Sequence, residues 1–149
     1  MLGYVCNIMF ICAFVTIAVK AETLEDLKKK YMDIIIECTG DYPLNAEEIE
    51  QMKAKKLPES DNAKCLLACA YKRTGMMTDK GEMSIEGVKE VALKYLSNDV
   101  YKLKNAEDFL DACQHVNEEP VKDGEKGCDR AALMYKCSID KAAEFDFSE

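Results

Sequence analysis

Six cysteines hold most of the latent chemistry in this sequence: Cys38, Cys65, Cys69, Cys113, Cys128 and Cys137. Thiols in such number bind metal, attack a substrate or oxidise in pairs. Zinc is not expected, because the C-x3-C of Cys65 and Cys69 has no matching second pair. A nucleophilic thiol or serine needs a base, and His115 is the only histidine. Six thiols that can all be paired leave none free for attack. A phospholipase is excluded as well: no adjacent Cys-Cys precedes a His-Asp pair, and no glycine-rich calcium loop occurs. The numerous carboxylates follow no organising motif and read as surface charge. The sequence thus offers no catalytic residue, no metal ligand and no cofactor site. Oxidation in pairs remains, and it requires an oxidising compartment.

Six cysteines can pair in fifteen ways. Cys65 and Cys69 stand i, i+4 on one helix, with Cβ atoms about 5–6 Å apart, too far for the roughly 3.5–4.5 Å of a disulfide. Cys128 and Cys137, nine residues apart, are separated by about 13 Å along a helix. Excluding these two pairs leaves ten of the fifteen connectivities. All ten staple one helix to another.

The helices that carry them are marked by caps and by 3.6-residue periodicity. Thr23 with Asp26 forms a capping-box start, followed by Leu24, Leu27, Tyr31, Ile34 and Cys38, and Gly40 to Pro43 ends the run. Asn45 with Glu48 opens a short polar helix that stops before Leu57-Pro58. Asp61 caps a third, through Cys65, Leu66, Cys69 and Ala70 to Gly75 as C-terminal stop. Ser84 caps a fourth, with Ile85, Val88, Ala92, Tyr95 and Leu96 on one face. Asn105 with Asp108 caps a fifth, carrying Ala106, Phe109, Leu110 and Cys113. A sixth follows Gly127 and is apolar on most faces, which places it in the middle of the bundle. No segment alternates with period two. The fold class is all-α, a compact bundle of about six helices.

The chain of 149 residues has room for one such domain. Acidic residues outnumber basic ones 28 to 20, for a formal charge of −8. That excludes nucleic acid as a partner, since phosphates demand a basic face. It argues equally against an anionic membrane surface. The Lys28-Lys29-Lys30 and Lys53-Lys55-Lys56 clusters are interleaved with acids and read as solvated faces. Met1 to Val19 lacks any charged side chain and breaks at Val19-Lys20-Ala21, a small-residue cleavage site. Residues 1–21 therefore read as a secretory signal peptide and 22–149 as the mature domain, with an uncleaved anchor as the rival. Cleavage removes two cysteines and one lysine, leaving 128 residues, six cysteines and a charge of −9. The mature chain is expected to be secreted, without stable membrane insertion.

The pattern Cys38-x26-Cys65-x3-Cys69-x43-Cys113-x14-Cys128-x8-Cys137 resembles the six-cysteine signature of insect odorant-binding proteins, the pheromone-binding/general odorant-binding group. Lys64-Cys65-Leu66-Leu67-Ala68-Cys69, followed by Gly75-Met76-Met77 and Gly81, is similar to the same family. The resemblance spans Thr23 to Ser138. It implies six helices around an apolar cavity, with bridges Cys38–Cys69, Cys65–Cys128 and Cys113–Cys137. It also implies non-covalent capture of a small hydrophobic molecule, an odorant or pheromone, and its transport through water to an odorant receptor. A monomer or weak homodimer would suffice.

By its offsets from the cysteines, the resemblance places ligand contacts at Leu24, Tyr31, Leu67, Tyr71, Leu110, Met134 and Ser138. Helical phase adds Leu27 beside Leu24 and Tyr31. Tyr31, Tyr71 and Ser138 are the polar handles, and six mature-chain methionines suit an adaptable wall. A 400 Å³ void would forfeit on the order of 10 kcal/mol, which three disulfides at about 3–4 kcal/mol each could offset. Phe145 or Phe147 is expected to fold over or into the cavity, the rival being a frayed terminus. His115 could serve pH-triggered release or be a solvated helix histidine. The alternative function is a secreted scavenger or defence binder of toxins, amines or lipids. Antennal expression would favour the carrier, and gland or fat-body expression the scavenger.

Overall fold

In the computed structural model, residues 22–141 and Glu144 are described. The chain forms α1 (Leu24–Cys38), α2 (Ala46–Lys53), α3 (Asp61–Thr74), α4 (Ile85–Leu96), α5 (Val100–Cys113) and α6 (Cys128–Lys141). Two short 3-10 turns, Gln114–Asn117 and Gly124–Lys126, link α5 to α6. Among the described residues there is no strand, only one isolated bridge between Met77 and Met83.

Local chemistry sets most boundaries where the sequence puts them. Thr23 and Asp26 exchange reciprocal bonds at the start of α1, as do Asn45 and Glu48 at α2. Ser84 accepts from the Gly87 amide at α4, and Gly75 closes α3 in the left-handed region. Two starts differ. Ser60, not Asp61, caps α3, its hydroxyl accepting from the Ala63 amide. Helix α5 begins at Val100 under an Asp99 cap, so Asn105 is a buried interior residue instead of the cap. The sequence hides this first turn because Val100 and Tyr101 are 81% and 68% exposed and show no buried stripe. At α6, the Asp123 carboxylate accepts from the Cys128 and Asp129 amides, capping the helix from five residues upstream.

The enclosed centre of the bundle is α3, which buries Ala63, Cys65, Leu66, Leu67, Ala68, Ala70 and Tyr71. This corrects the expectation for α6. That helix packs on α3 through Cys128, Ala131 and Met134, but Leu133, Tyr135, Cys137 and Ile139 stay half-exposed. Its apolar residues are spread over more surface than α3 can cover. Arg130 is also buried, and its guanidinium donates to the Val116 and Glu119 carbonyls, fastening the turn after α5.

Three disulfides bind the helices: Cys38–Cys69 joins α1 to α3, Cys65–Cys128 joins α3 to α6, and Cys113–Cys137 joins α5 to α6. Their Cα–Cα distances are 6.0, 4.4 and 5.9 Å. Helices α2 and α4 carry no cysteine. Helix α4 is seated instead by close approach: a Cβ on Gly87 would lie 1.8 Å from the Gly75 carbonyl oxygen. Only glycine lets the first turn of α4 rest on the end of α3.

Candidate functional site

The interior of the bundle holds an apolar cavity of about 120 Å³. Tyr71 of α3, Val88 of α4, Phe109 and Cys113 of α5, and Met134 and Ser138 of α6 form its walls. Met76 and Met83 close it from the segment between α3 and α4. That segment is a tight turn: the Thr78 amide donates to the Glu82 carbonyl and the Ser84 amide to the Met76 carbonyl. Asn117 then docks it. The Asn117 carboxamide oxygen accepts from the Met83 amide at 2.8 Å, and its NH2 donates to the Met83 carbonyl at 3.0 Å. One side chain thus imitates a neighbouring strand and holds Met83 against the cavity.

At about 24 cal/mol per Å³, a void this size forfeits about 3 kcal/mol. One disulfide could offset that. At about 120 Å³ the cavity asks less of the bridges than a 400 Å³ void would. Met76, Met83 and Met134 line one small cavity, where flexible thioethers can repack around an entering molecule.

Polar groups are few. The Ser138 hydroxyl donates to the Tyr135 carbonyl at 2.6 Å. Tyr31 stands behind Tyr71, with ring centroids 6.5 Å apart and planes at 41°. Burial pushes the Tyr31 hydroxyl up to about 12, with the Tyr71 hydrogen bond working against it. Burial first, then the neighbouring tyrosines, push Tyr71 well above the usual phenol value. A folded pKa above the unfolded one means stability that is fully present below about pH 10 and lost as pH climbs through the folded value. Absorbance at 295 nm should therefore show these two phenols still protonated at pH 11 while the helices persist. Simultaneous ionisation of every tyrosine near pH 10 in folded protein would contradict this.

Of the residues singled out from the sequence, Tyr71, Met134 and Ser138 line the cavity. Tyr31 contacts it only through Tyr71. Leu67 is core, fully buried in α3. Leu110 is also buried and faces a smaller crevice of about 70 Å³ between α4 and α5. Leu24 and Leu27 are half-buried on α1 and do not line the cavity. Phe145 and Phe147, like residues 1–21, lie outside the described residues. Met76, Met83, Val88 and Phe109 were not singled out, although the Gly75-Met76-Met77 run and the apolar faces of α4 and α5 contained the signal. His115 is exposed on the turn after α5, its Nδ1 2.9 Å from the Ala112 carbonyl, and does not line the cavity.

Residues 20–141 match the profile of the PBP/GOBP family. The chain belongs to that family. Its members are carriers of small ligands and not enzymes. General odorant-binding protein 19d of Drosophila melanogaster is 25% identical over 128 residues, covering 85% of this chain and 82% of that protein. General odorant-binding protein 28a of the same species is 32% identical over 99 residues, 66% and 68% of the two chains. Two solved structures share the fold. Odorant-binding protein dmelOBP28a from Drosophila melanogaster superposes with a TM-score of 0.62 at 24% identity, covering 80% of this chain and 95% of that one. A pheromone-binding protein from the cockroach Leucophaea maderae, in complex with the fluorescent reporter ANS, gives a TM-score of 0.60 at 20% identity, covering 80% and 98%. PBP/GOBP membership accounts for the cysteine spacing and for a bundle built around internal space.

Proposed function

We propose that the protein is a secreted carrier that holds one small hydrophobic molecule, an odorant or pheromone, in the cavity between α3 and α6 and delivers it through aqueous fluid to a receptor. The observation that supports this reading most is the wall itself: three methionines, Phe109 and Val88 line an apolar space with only Tyr71 and Ser138 as polar contacts. The charge-free run before Lys20 supports cleavage at residue 21 and secretion. Acidity supports solubility at high concentration.

The hydrogen bonds favour a chemical class of ligand. Ser138 has spent its proton on the Tyr135 carbonyl, and the Tyr71 ring stands against that of Tyr31. The Ser138 oxygen therefore has only lone pairs left to offer and accepts more readily than it donates. An alcohol should bind more tightly than the aldehyde of the same skeleton, by about fivefold for one added hydrogen bond near 1 kcal/mol. Displacement of the neutral probe N-phenyl-1-naphthylamine by matched alcohols and aldehydes measures this. The variant Val88→Phe puts an aromatic ring into the cavity and should weaken probe binding at least tenfold. Unchanged probe affinity in that variant would remove the basis of the carrier reading.

A further inference from the structure

A second depression, about 390 Å³ and open to solvent, lies on the outer side of α6, away from the enclosed cavity. Its floor is apolar: Leu57, Leu133, Tyr135 and Ile139, all half-buried. Its rim carries three exposed ammonium groups, Lys55, Lys56 and Lys136, against a single carboxylate, Asp140. Among the described residues, none of these three lysines forms an ion pair, while seven other lysine or arginine side chains do. Three cations against one carboxylate give the rim a positive charge within a chain whose formal charge is −8. Lys55 also occupies the left-handed position after α2, with φ of 59°, where helix ends ordinarily place glycine.

We infer that this groove is a second ligand site, for single amphiphiles with an anionic head and a long apolar tail, of the long-chain carboxylate type. The tail would lie along Leu57, Leu133 and Ile139, while the carboxylate meets Lys55, Lys56 and Lys136. The open side explains the class: an amphiphile can leave its head in water, whereas a wholly apolar molecule gains more in the enclosed cavity. The three cations supply charge-assisted contacts that a neutral head cannot use. In sequence, the Lys53-Lys55-Lys56 cluster reads as a solvated face. The structure separates its members, since Lys53 pairs with Glu50 while Lys55 and Lys56 turn to the groove.

This site is independent of the carrier reading, and the test keeps the two apart. Palmitate, used below its micelle concentration, is titrated calorimetrically into the protein with the neutral naphthylamine probe already filling the cavity. Palmitate should bind without displacing the probe, should weaken several-fold between 20 and 500 mM salt, and should outcompete hexadecanol at the groove. The triple variant Lys55→Gln/Lys56→Gln/Lys136→Gln should lose at least tenfold in palmitate affinity while probe affinity holds, and Val88→Phe should do the reverse. Palmitate affinity unchanged in the triple variant would overturn the inference, as would one-for-one displacement of the probe. Binding only to vesicles containing palmitate, with none to the monomer, would assign the lysines to a lipid surface instead. Palmitate binding seen only after removal of residues 142–149 would mean that this acidic, phenylalanine-bearing segment is the occupant, and the inference would fail.

Discussion

Replacing Cys65 and Cys128 together by alanine should cost about 4 kcal/mol of stability, the largest loss of any single bridge. The reason lies in the unfolded chain. This disulfide spans 63 residues, against 31 for Cys38–Cys69 and 24 for Cys113–Cys137. Loop-closure entropy grows with the logarithm of that span, giving about 4.3 kcal/mol for the longest and about 3.5 for the others. The folded side adds to it, because both sulfurs are buried where α3 meets α6. Alanine is the right replacement, since a serine hydroxyl there would be buried without an assured partner. A domain of this size is worth about 5–15 kcal/mol in total, so the variant should unfold at a much lower urea midpoint. Equal midpoints for all three double variants would show that span does not govern the effect.

The second large effect is expected from a single methyl group. Gly87→Ala places a carbon 1.8 Å from the Gly75 carbonyl oxygen and 2.7 Å from its carbon. Both are backbone atoms, so no side chain can swing aside. Alanine would gain up to about 1 kcal/mol in helix propensity. Overpacking costs roughly 1–3 kcal/mol where neighbours can give, and here they cannot, so the clash wins. Helix α4 must move off the end of α3, and Val88, the next residue, leaves the cavity wall with it. Chemical denaturation should show a loss of about 2–3 kcal/mol, and the naphthylamine probe should bind more weakly. Gly75→Ala provides the contrast: no atom lies within 4 Å of its Cβ, so its cost comes from the left-handed backbone alone. A Gly87→Ala variant as stable as the parent would show that α3 and α4 are not held at this point.

The frame of the molecule was largely legible before the structure. Cysteine spacing and capping chemistry act over a few residues, so Thr23-Asp26, Asn45-Glu48 and Ser84 mark real helix starts. The pairing of the bridges came from the family resemblance, since helix geometry alone left ten connectivities. The cavity wall was less legible. Tyr71, Met134 and Ser138 sit at helical positions tied to a cysteine, but Met76 and Met83 lie on a turn without periodicity. What brings Met83 inward is the Asn117 carboxamide, 34 residues away. Nothing local announces that contact. Leu24 and Leu27 show the reverse: α1 is amphipathic, and it packs on α3 and α4 with these two residues half-buried and outside the cavity lining. The start of α5 was missed because Val100 and Tyr101 are apolar and exposed, so periodicity gave no warning.

The cysteine-free state of α4 has a consequence for how anything enters. Bridges link α1, α3, α6 and α5 into one covalent frame, and three of those four helices wall the cavity. The remaining helical wall, α4, is held by packing, by its seat on Gly75 and by the Lys94–Glu22 ion pair. Outward motion of α4 therefore strains no disulfide and parts only packing and one exposed ion pair, whereas motion of any other wall helix strains a disulfide. Association should then be limited by how often that hinged panel swings, making the on-rate nearly insensitive to ligand diffusion and steeply dependent on temperature. The staples would have decided which side of the molecule is the door.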